Sequence, residues 1–199
     1  MERDAALLIV DLQNDFCPGG ALPVPEGDLV VEPLNRAAQC FAAAGLPVVA
    51  SRDWHPPVTR HFREYGGLWP PHCVQGSEGA AFHPALRLPE GSVVISKGSD
   101  PERDSYSAFE AATVEGRSLE EFLTSKGVRH LYVGGLATDY CVRSSVLDAL
   151  RAGFAVTVLT DAVAGVEVAP GDSAKALEEM RQTGAQFGTV NELVTTQQA

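Results

Sequence analysis

A cysteine, Cys141, lies where a strand pattern gives way to a helical one. Residues 131–133 form an apolar run typical of a buried strand, and Gly134-Gly135 indicates its end. Apolar residues then recur at helical spacing. The N–H groups and dipole at the start of a helix favour a thiolate, which is the nucleophilic form of cysteine. Cys141 is therefore a candidate nucleophile.

Two other reactive residues follow apolar runs in the same way. Asp11 follows the first predicted strand and Lys97 the third. Because the carboxyl ends of parallel strands share one edge of a sheet, these side chains can converge on Cys141. Asp11 could take up the thiol proton, and Lys97 could stabilise the thiolate. The backbone N–H groups of Ala137 and Cys141 could hold a developing oxyanion.

Each of these residues also has an ordinary structural explanation. An aspartate at a strand end is commonly a turn former, a lone lysine is usually solvated, and a lone cysteine is usually a small buried apolar residue. The evidence for catalysis from these residues is their shared placement at predicted strand ends.

A second group of residues has the composition of a metal site. Asp53 and His55 flank one residue, so in an extended segment their side chains point the same way. With His72, they offer a carboxylate and two imidazoles, which suit zinc, iron or manganese. His61 could be a further ligand, and Glu64 is a weaker candidate oxygen donor. The alternative is that these histidines merely crowd a surface loop.

The elements that must position these residues alternate between strand and helix. Strands are predicted at residues 5–10, 46–50, 92–96, 131–133, 155–159 and 185–187. Helices are predicted at about residues 29–44, 118–126, 141–152 and 172–183. This order predicts an α/β fold, a doubly wound, mostly parallel six-stranded sheet with helices on both faces. Residues 1–199 are expected to form one domain, with an irregular metal-site region at about residues 51–89.

Composition excludes several classes of partner. The 199 residues carry a net charge of −11, from 15 basic and 26 acidic side chains, which disfavours nucleic acid and anionic membranes. The N-terminal residues lack a signal-peptide pattern, and no apolar run approaches a membrane span. We therefore expect a cytoplasmic protein with a small-molecule substrate, and the sequence leaves a monomer or a homo-oligomer open.

Several motifs together resemble the nicotinamidase/pyrazinamidase group of the isochorismatase-like cysteine hydrolases. The matching blocks, in chain order, are residues 9–20 (IVDLQNDFCPGG), 53–55 (DWH), 69–74 (WPPHCV), 97–98 (KG), 106–109 (YSAF) and 135–142 (GLATDYCV). The resemblance implies a catalytic triad of Asp11, Lys97 and Cys141. It also implies a cis peptide between Leu136 and Ala137, before the oxyanion hole.

The resemblance extends to the metal and to the substrate pocket. It implies one divalent transition metal ion bound by Asp53, His55 and His72, with His61 as an additional ligand in one branch of the family. Zinc is the first expectation, with iron or manganese as alternatives. Its implied pocket residues, listed together, are Phe16, Trp69, Leu136 and Ala137, with Tyr106 as a further wall. Tyr140 stands where some relatives have histidine.

The implied activity is hydrolysis of nicotinamide to nicotinate and ammonia through a thioester, with pyrazinamide as a second substrate. Another cysteine hydrolase of the superfamily, acting on a carbamoyl or ureido amide, would share the triad but would not need the metal residues. A non-enzymatic metal- or ligand-binding protein is the third alternative.

Overall fold

The computed structural model describes residues 2–195 and contains six strands and five α-helices in that range. The strands are β1 (Ala5–Val10), β2 (Val48–Asp53), β3 (Val93–Lys97), β4 (His130–Leu136), β5 (Ala155–Ala164) and β6 (Gln186–Gly188). The α-helices are α1 (Val31–Ala43), α2 (Leu119–Ser125), α3 (Arg143–Arg151), α4 (Asp172–Thr183) and α5 (Val190–Thr195).

The strands form one sheet in the order β3-β2-β1-β4-β5-β6, and every neighbouring pair is parallel. The predicted doubly wound sheet is therefore confirmed, and it is wholly parallel. The chain moves outward from β1 to β3 and then crosses back to β4 beside β1. The strand order thus reverses between β1 and β4, and ligands of such sheets bind at the carboxyl ends there.

Helices cover both faces of the sheet, which is why the central strands are apolar on both sides. All six residues of β1 are buried. Leu7 and Ile9 pack with α1 and α5 on one face, whereas Leu8 and Val10 pack with α2, α3 and α4 on the other. The capping box expected from Ser118 and Glu121 is present at the start of α2.

The sequence pattern indicated that the glycine pair ends β4, but the structure shows that it does not. The strand continues through Gly134 and Gly135 to Leu136, and the two glycines pair with Ile9 and Val10. A Cβ atom on Gly135 would lie 2.1 Å from the carbonyl oxygen of Val10. These glycines permit a close approach of two strands rather than a turn.

Strand β2 is also longer than expected, since it runs to Asp53. The irregular region therefore begins after Asp53 and not at residue 51. Its helical structure is limited to a short 3-10 turn at Arg63–Tyr65. The sequence pattern did not indicate α5. Within residues 2–195, no helix combines the length and the apolar character needed to cross a bilayer.

Candidate active site

The three reactive residues predicted at strand ends meet in one buried cluster. The Lys97 Nζ atom lies 2.9 Å from Asp11 Oδ2 and 3.4 Å from Cys141 Sγ. Asp53 also pairs with Lys97 through its Oδ1 atom, a contact that the sequence did not indicate. One ammonium group therefore contacts two carboxylates and the thiol, and all four side chains are buried.

Asp11 is fixed by the strand beside it. It follows β1 directly, and its φ of +47° is unusual for a residue other than glycine. Ser51 donates a hydrogen bond of 2.7 Å from Oγ to Asp11 Oδ1. Ser51 was not among the predicted site residues. Its position two residues before Asp53, on the same face of β2, was the signal that could have revealed it.

Burial and charge act in opposite directions on the carboxylates. Burial raises the pKa of Asp11, an effect that Lys97 partly offsets and Asp53 increases. Burial alone would also raise the pKa of Asp53, but the ammonium of Lys97 outweighs it and the net pKa is lowered. Asp53 therefore remains ionised, while Asp11 is a stronger base than an exposed aspartate.

Cys141 lies in a π-helical turn, Thr138–Val142, that leads from β4 into α3. The predicted placement at a helix start is thus confirmed, but burial opposes the thiolate that this position favours. Burial raises the pKa of the Cys141 thiol well above its ordinary value, and Lys97 only partly opposes this effect. The negative charges of Asp11 and Asp53 raise it further. The Cys141 side chain is therefore a neutral thiol in this environment.

Three histidines form a second cluster beside the first. His55, His61 and His72 each offer a ligand atom within 4.8 Å of those of the others. Asp53 joins the two clusters, since its Oδ2 atom lies 3.6 Å from His55 Nε2 and 4.0 Å from His72 Nε2. Glu64 is exposed in the 3-10 turn and does not belong to the cluster.

All three imidazoles are held through Nδ1. The Nδ1 atom of His55 lies 3.1 Å from the carbonyl oxygen of Gly98, and that of His72 lies 2.8 Å from the carbonyl oxygen of Pro70. His61 Nδ1 is 2.7 Å from Oδ1 of Asp104. Carbonyl and carboxylate oxygens only accept, so each Nδ1 donates its proton and the Nε2 lone pair remains available. Metal-binding histidines are oriented in this way.

The histidine environment favours neutral rings. Burial lowers the pKa of His72 to about 4, although Asp53 acts in the opposite direction. Burial also lowers the pKa of His61. The Nε2 atom of His55 is buried without a hydrogen-bond partner. Neutral imidazoles and one carboxylate form a suitable donor set for a divalent cation such as zinc, so these residues fit a metal ion.

Gly98 is needed where the third strand leads toward His55. Its φ is +71°, in the left-handed region that glycine adopts readily. A Cβ atom there would lie 2.5 Å from Cε1 of His55. The glycine that follows Lys97 therefore permits the close approach of its own carbonyl group to the imidazole.

A small cavity lies between the thiol and the histidines. Its lining residues, taken together, are Phe16, Leu22, Asp53, His61, Trp69, His72, Tyr106, Ala137, Tyr140, Cys141 and Val166. Trp69 donates from Nε1 to the Tyr106 hydroxyl at 3.0 Å, and its ring packs edge-on against Tyr140 at 4.9 Å. The cavity therefore has an aromatic wall.

The predicted pocket residues fall into two groups. Phe16, Trp69 and Ala137 line the cavity, as does Tyr106. The Leu136 side chain is instead fully buried in the core under α1. The peptide between Leu136 and Ala137 is cis, as the resemblance implied. The oxyanion role of the Ala137 and Cys141 N–H groups stays a prediction.

Two supporting residues were missed because their partners are distant in sequence. Gln13 accepts the N–H of Asp53 at 2.7 Å and donates to its carbonyl oxygen at 2.8 Å. Asp104 binds His61, 43 residues away. Nothing in the local pattern around Gln13 or Asp104 indicates these contacts.

Comparison with known proteins gives a consistent result. The family model described as isochorismatase domain matches residues 5–192. A nicotinamidase of Escherichia coli (strain K12) is 45% identical over 208 residues, which cover 96% of this chain and 98% of that protein.

Comparison with solved structures agrees with these sequence matches. The pyrazinamidase of Pyrococcus horikoshii in complex with zinc matches with a TM-score of 0.86 and 47% identity, over 94% of this chain and 99% of that chain. PnC1 from L. infantum in complex with nicotinate gives a TM-score of 0.85 and 36% identity, over 94% and 93% of the two chains. The resemblance to nicotinamidases and pyrazinamidases is confirmed, and the chain belongs to the isochorismatase family.

Proposed function

We propose that this protein is a metal-dependent cysteine amidohydrolase that converts nicotinamide to nicotinate and ammonia, and that also accepts pyrazinamide. One observation carries the proposal. Cys141 and two of the three clustered histidines, His61 and His72, line the same small cavity, and Asp53 contacts both Lys97 and the histidine cluster. The nicotinamidase and pyrazinamidase relatives and the nicotinate-bound relative support this substrate class.

The first half of the proposed reaction forms a thioester. Asp11 removes the proton from Cys141, and Lys97 stabilises the resulting thiolate. The thiolate attacks the carbonyl carbon of the amide, while the N–H groups of Ala137 and Cys141 hold the oxyanion. Asp11 then returns the proton to the leaving nitrogen, so ammonia departs and the acyl group stays on the sulfur.

The second half releases the acid. Asp11, ionised again, takes a proton from a water molecule that attacks the thioester carbonyl. The C–S bond breaks, the thiol regains a proton and nicotinate leaves. The raised pKa of Asp11 suits a group that must accept and donate a proton in turn.

The histidine cluster has a separate role in this proposal. His55, His61, His72 and Asp53 would hold a divalent metal ion, for which zinc is supported by the zinc-bound relative. When bound, the ion supplies a Lewis acid that can hold the ring nitrogen of the substrate. Phe16 and Trp69 would pack against the aromatic ring.

The three-histidine cluster also separates this function from its closest rival. A hydrolase of carbamoyl or ureido amides needs Asp11, Lys97 and Cys141 but has no pyridine nitrogen to orient. Three oriented imidazoles beside the thiol would then have no purpose. The family match over residues 5–192 supports our inference that residues 1–199 form one hydrolase domain.

Ammonia release from nicotinamide tests the proposal directly. We expect turnover by the native protein, and a loss of about 10⁴-fold or more in kcat for Cys141→Ala, since the nucleophile is removed. Cys17→Ala should keep its activity, because this thiol is buried outside the catalytic cluster. Prolonged treatment with a chelator should reduce substrate affinity, and added zinc should restore it.

Two results would contradict the proposal. Ammonia release by Cys141→Ala at the native rate would exclude the thioester route. Substrate affinity that is unchanged after complete metal removal would exclude the orienting role of the histidine cluster.

A further inference from the structure

Asp15 connects the pocket wall to the segment that contains His72, without lining the cavity itself. It directly precedes Phe16 in the chain. Its Oδ2 atom accepts the backbone N–H of Cys73 at 2.7 Å, and its Oδ1 atom accepts that of Ala21 at 3.1 Å. Both carboxylate oxygens are thus used to bind backbone groups, and one of these groups follows His72 directly.

Cys73 has a conformation that needs such support. Its φ is +46°, in the left-handed region that residues with a Cβ atom rarely adopt. Its side chain is fully buried. The Cys73 carbonyl oxygen accepts the backbone N–H of His55 at 3.0 Å. The backbone of Cys73 therefore lies between two of the clustered histidines, following His72 and binding His55.

The Asp15 carboxylate has little room to move. A Cβ atom on Gly79 would lie 2.1 Å from its Oδ2 atom. Gly79 also accepts the backbone N–H of Asp15 at 3.0 Å. The carboxylate is therefore enclosed between the 3-10 turn Asn14–Phe16 and the loop around Gly79. A group held this rigidly can fix the backbone conformation of its partner.

We propose that Asp15 is a positioning residue for the metal site. It holds Cys73 in the left-handed conformation and thereby sets the positions of His55 and His72. This inference rests on the proposed metal site, but it assigns to Asp15 a role that neither the triad nor the ligand set includes.

Zinc binding to the metal-stripped protein tests this role independently of catalysis. The dissociation constant for Zn²⁺ is measured by competition with a chromophoric chelator. Asp15→Asn keeps the size of the side chain but puts an NH₂ group against one of the two N–H donors. We expect zinc affinity to fall about tenfold, as for other groups that orient metal ligands. At saturating zinc, the variant should regain most of its turnover.

Asp161→Asn is the matched control. The Asp161 Oδ1 atom also accepts a backbone N–H, from Val190 at 2.8 Å, but Asp161 belongs to β5, on the opposite side of β1 from β2 and β3. This variant should keep the zinc affinity of the native protein, because asparagine retains an oxygen that can accept this single N–H.

The substitution Cys73→Gly makes the test specific for backbone conformation. Glycine adopts a positive φ without strain, so Cys73→Gly should need less support from Asp15. We expect Asp15→Asn to weaken zinc binding less than about threefold in the Cys73→Gly background. This comparison also serves if Asp15→Asn alone does not fold.

The outcomes separate the two levels of inference. Failure of the native protein to bind zinc would overturn the proposed metal site, and with it this role of Asp15. Zinc bound equally well by the native protein and by Asp15→Asn would overturn the role of Asp15 alone. An equal loss of affinity in both backgrounds at position 73 would overturn the conformational explanation.

Discussion

The two sides of the candidate active site are built in different ways. On the nucleophile side, Asp11, Lys97 and Cys141 stand at or just beyond the ends of β1, β3 and β4. On the metal side, the histidines lie in the irregular segment between β2 and β3. The sheet itself positions the first group, whereas hydrogen bonds from each Nδ1 position the second. Regular structure is thus used where charges must meet at close range.

The two sides also differ in charge. Lys97 is buried between two carboxylates, and their negative charges raise its pKa well above the ordinary value despite burial. The histidine side contains rings that burial keeps neutral. Asp53 is shared by both sides. The stability of the nucleophile side should therefore depend strongly on ion pairing. The stability of the metal side should depend on the binding of protons and of metal.

Removal of Lys97 is expected to have the largest effect on stability. Lys97→Met would leave Asp11 and Asp53 buried without their common cation, so the free energy of unfolding should fall by about 3–5 kcal/mol. Urea denaturation of the metal-stripped protein measures this change.

Two variants show whether this loss is specific to the nucleophile side. Lys126→Met, at an exposed lysine, should change stability by no more than about 0.5 kcal/mol. His61→Asn, on the metal side, should cost less than Lys97→Met, since it leaves no buried charge unpaired. A loss below about 1 kcal/mol for Lys97→Met would show that the lysine does not compensate the carboxylates.

The difference between the two sides explains what the sequence could predict. Each strand end is marked locally by an apolar run, so the convergence of Asp11, Lys97 and Cys141 followed from parallel topology. The protonation state of Cys141 did not follow, because it depends on burial and on Asp53, which reaches Lys97 from the adjacent strand. Local sequence patterns predict where a residue lies along its strand. They do not predict the combined charge that residues of neighbouring strands bring to one site.

The metal side was predictable only as a set of residue types. The spacing of Asp53 and His55 predicted their shared direction, which the structure confirms. The partners of the histidines, such as Gly98 and Asp104, are more than 40 residues away from them and have no local signature. The prediction that β4 ends at its two glycines was wrong for a similar reason. The residue that Gly135 approaches closely, Val10, belongs to a different strand.

The metal side should make stability depend on pH through His72. The folded pKa of His72 is about 4, below its ordinary value of 6.5, because burial disfavours the charged ring. Between these values the unfolded chain binds a proton that the folded chain does not. The free energy of unfolding should therefore fall as the pH falls from 6.5 to 4, by up to about 3 kcal/mol.

His72→Gln isolates this contribution. Both proteins are stripped of metal and unfolded with urea at several pH values. The variant should lose less stability than the native protein across the same window, because glutamine does not titrate. Parallel pH profiles for the two proteins would show that His72 is not the group responsible.

The smallest expected effect tests whether Asp104 orients His61 as a metal ligand. His55 and His72 donate to backbone carbonyl groups, which no substitution of a side chain removes, but His61 donates to Asp104. The Asp104 side chain is 58% exposed, so water can replace part of its contribution. If His61 is a ligand, Asp104→Ala should weaken zinc binding about tenfold, or roughly 1.4 kcal/mol.

Asp100→Ala provides the control for this measurement, because Asp100 lies in the same loop and accepts the backbone N–H of Glu102 instead of contacting a histidine. Its zinc affinity should equal that of the native protein. Equal affinities for Asp104→Ala and Asp100→Ala would show that Asp104 does not orient His61 for the metal. The stacking of His61 on His55, with ring centroids 4.5 Å apart, would then be the contact that holds the His61 ring. The metal side would in that case depend on backbone carbonyl groups for the orientation of His55 and His72 and on ring stacking for that of His61.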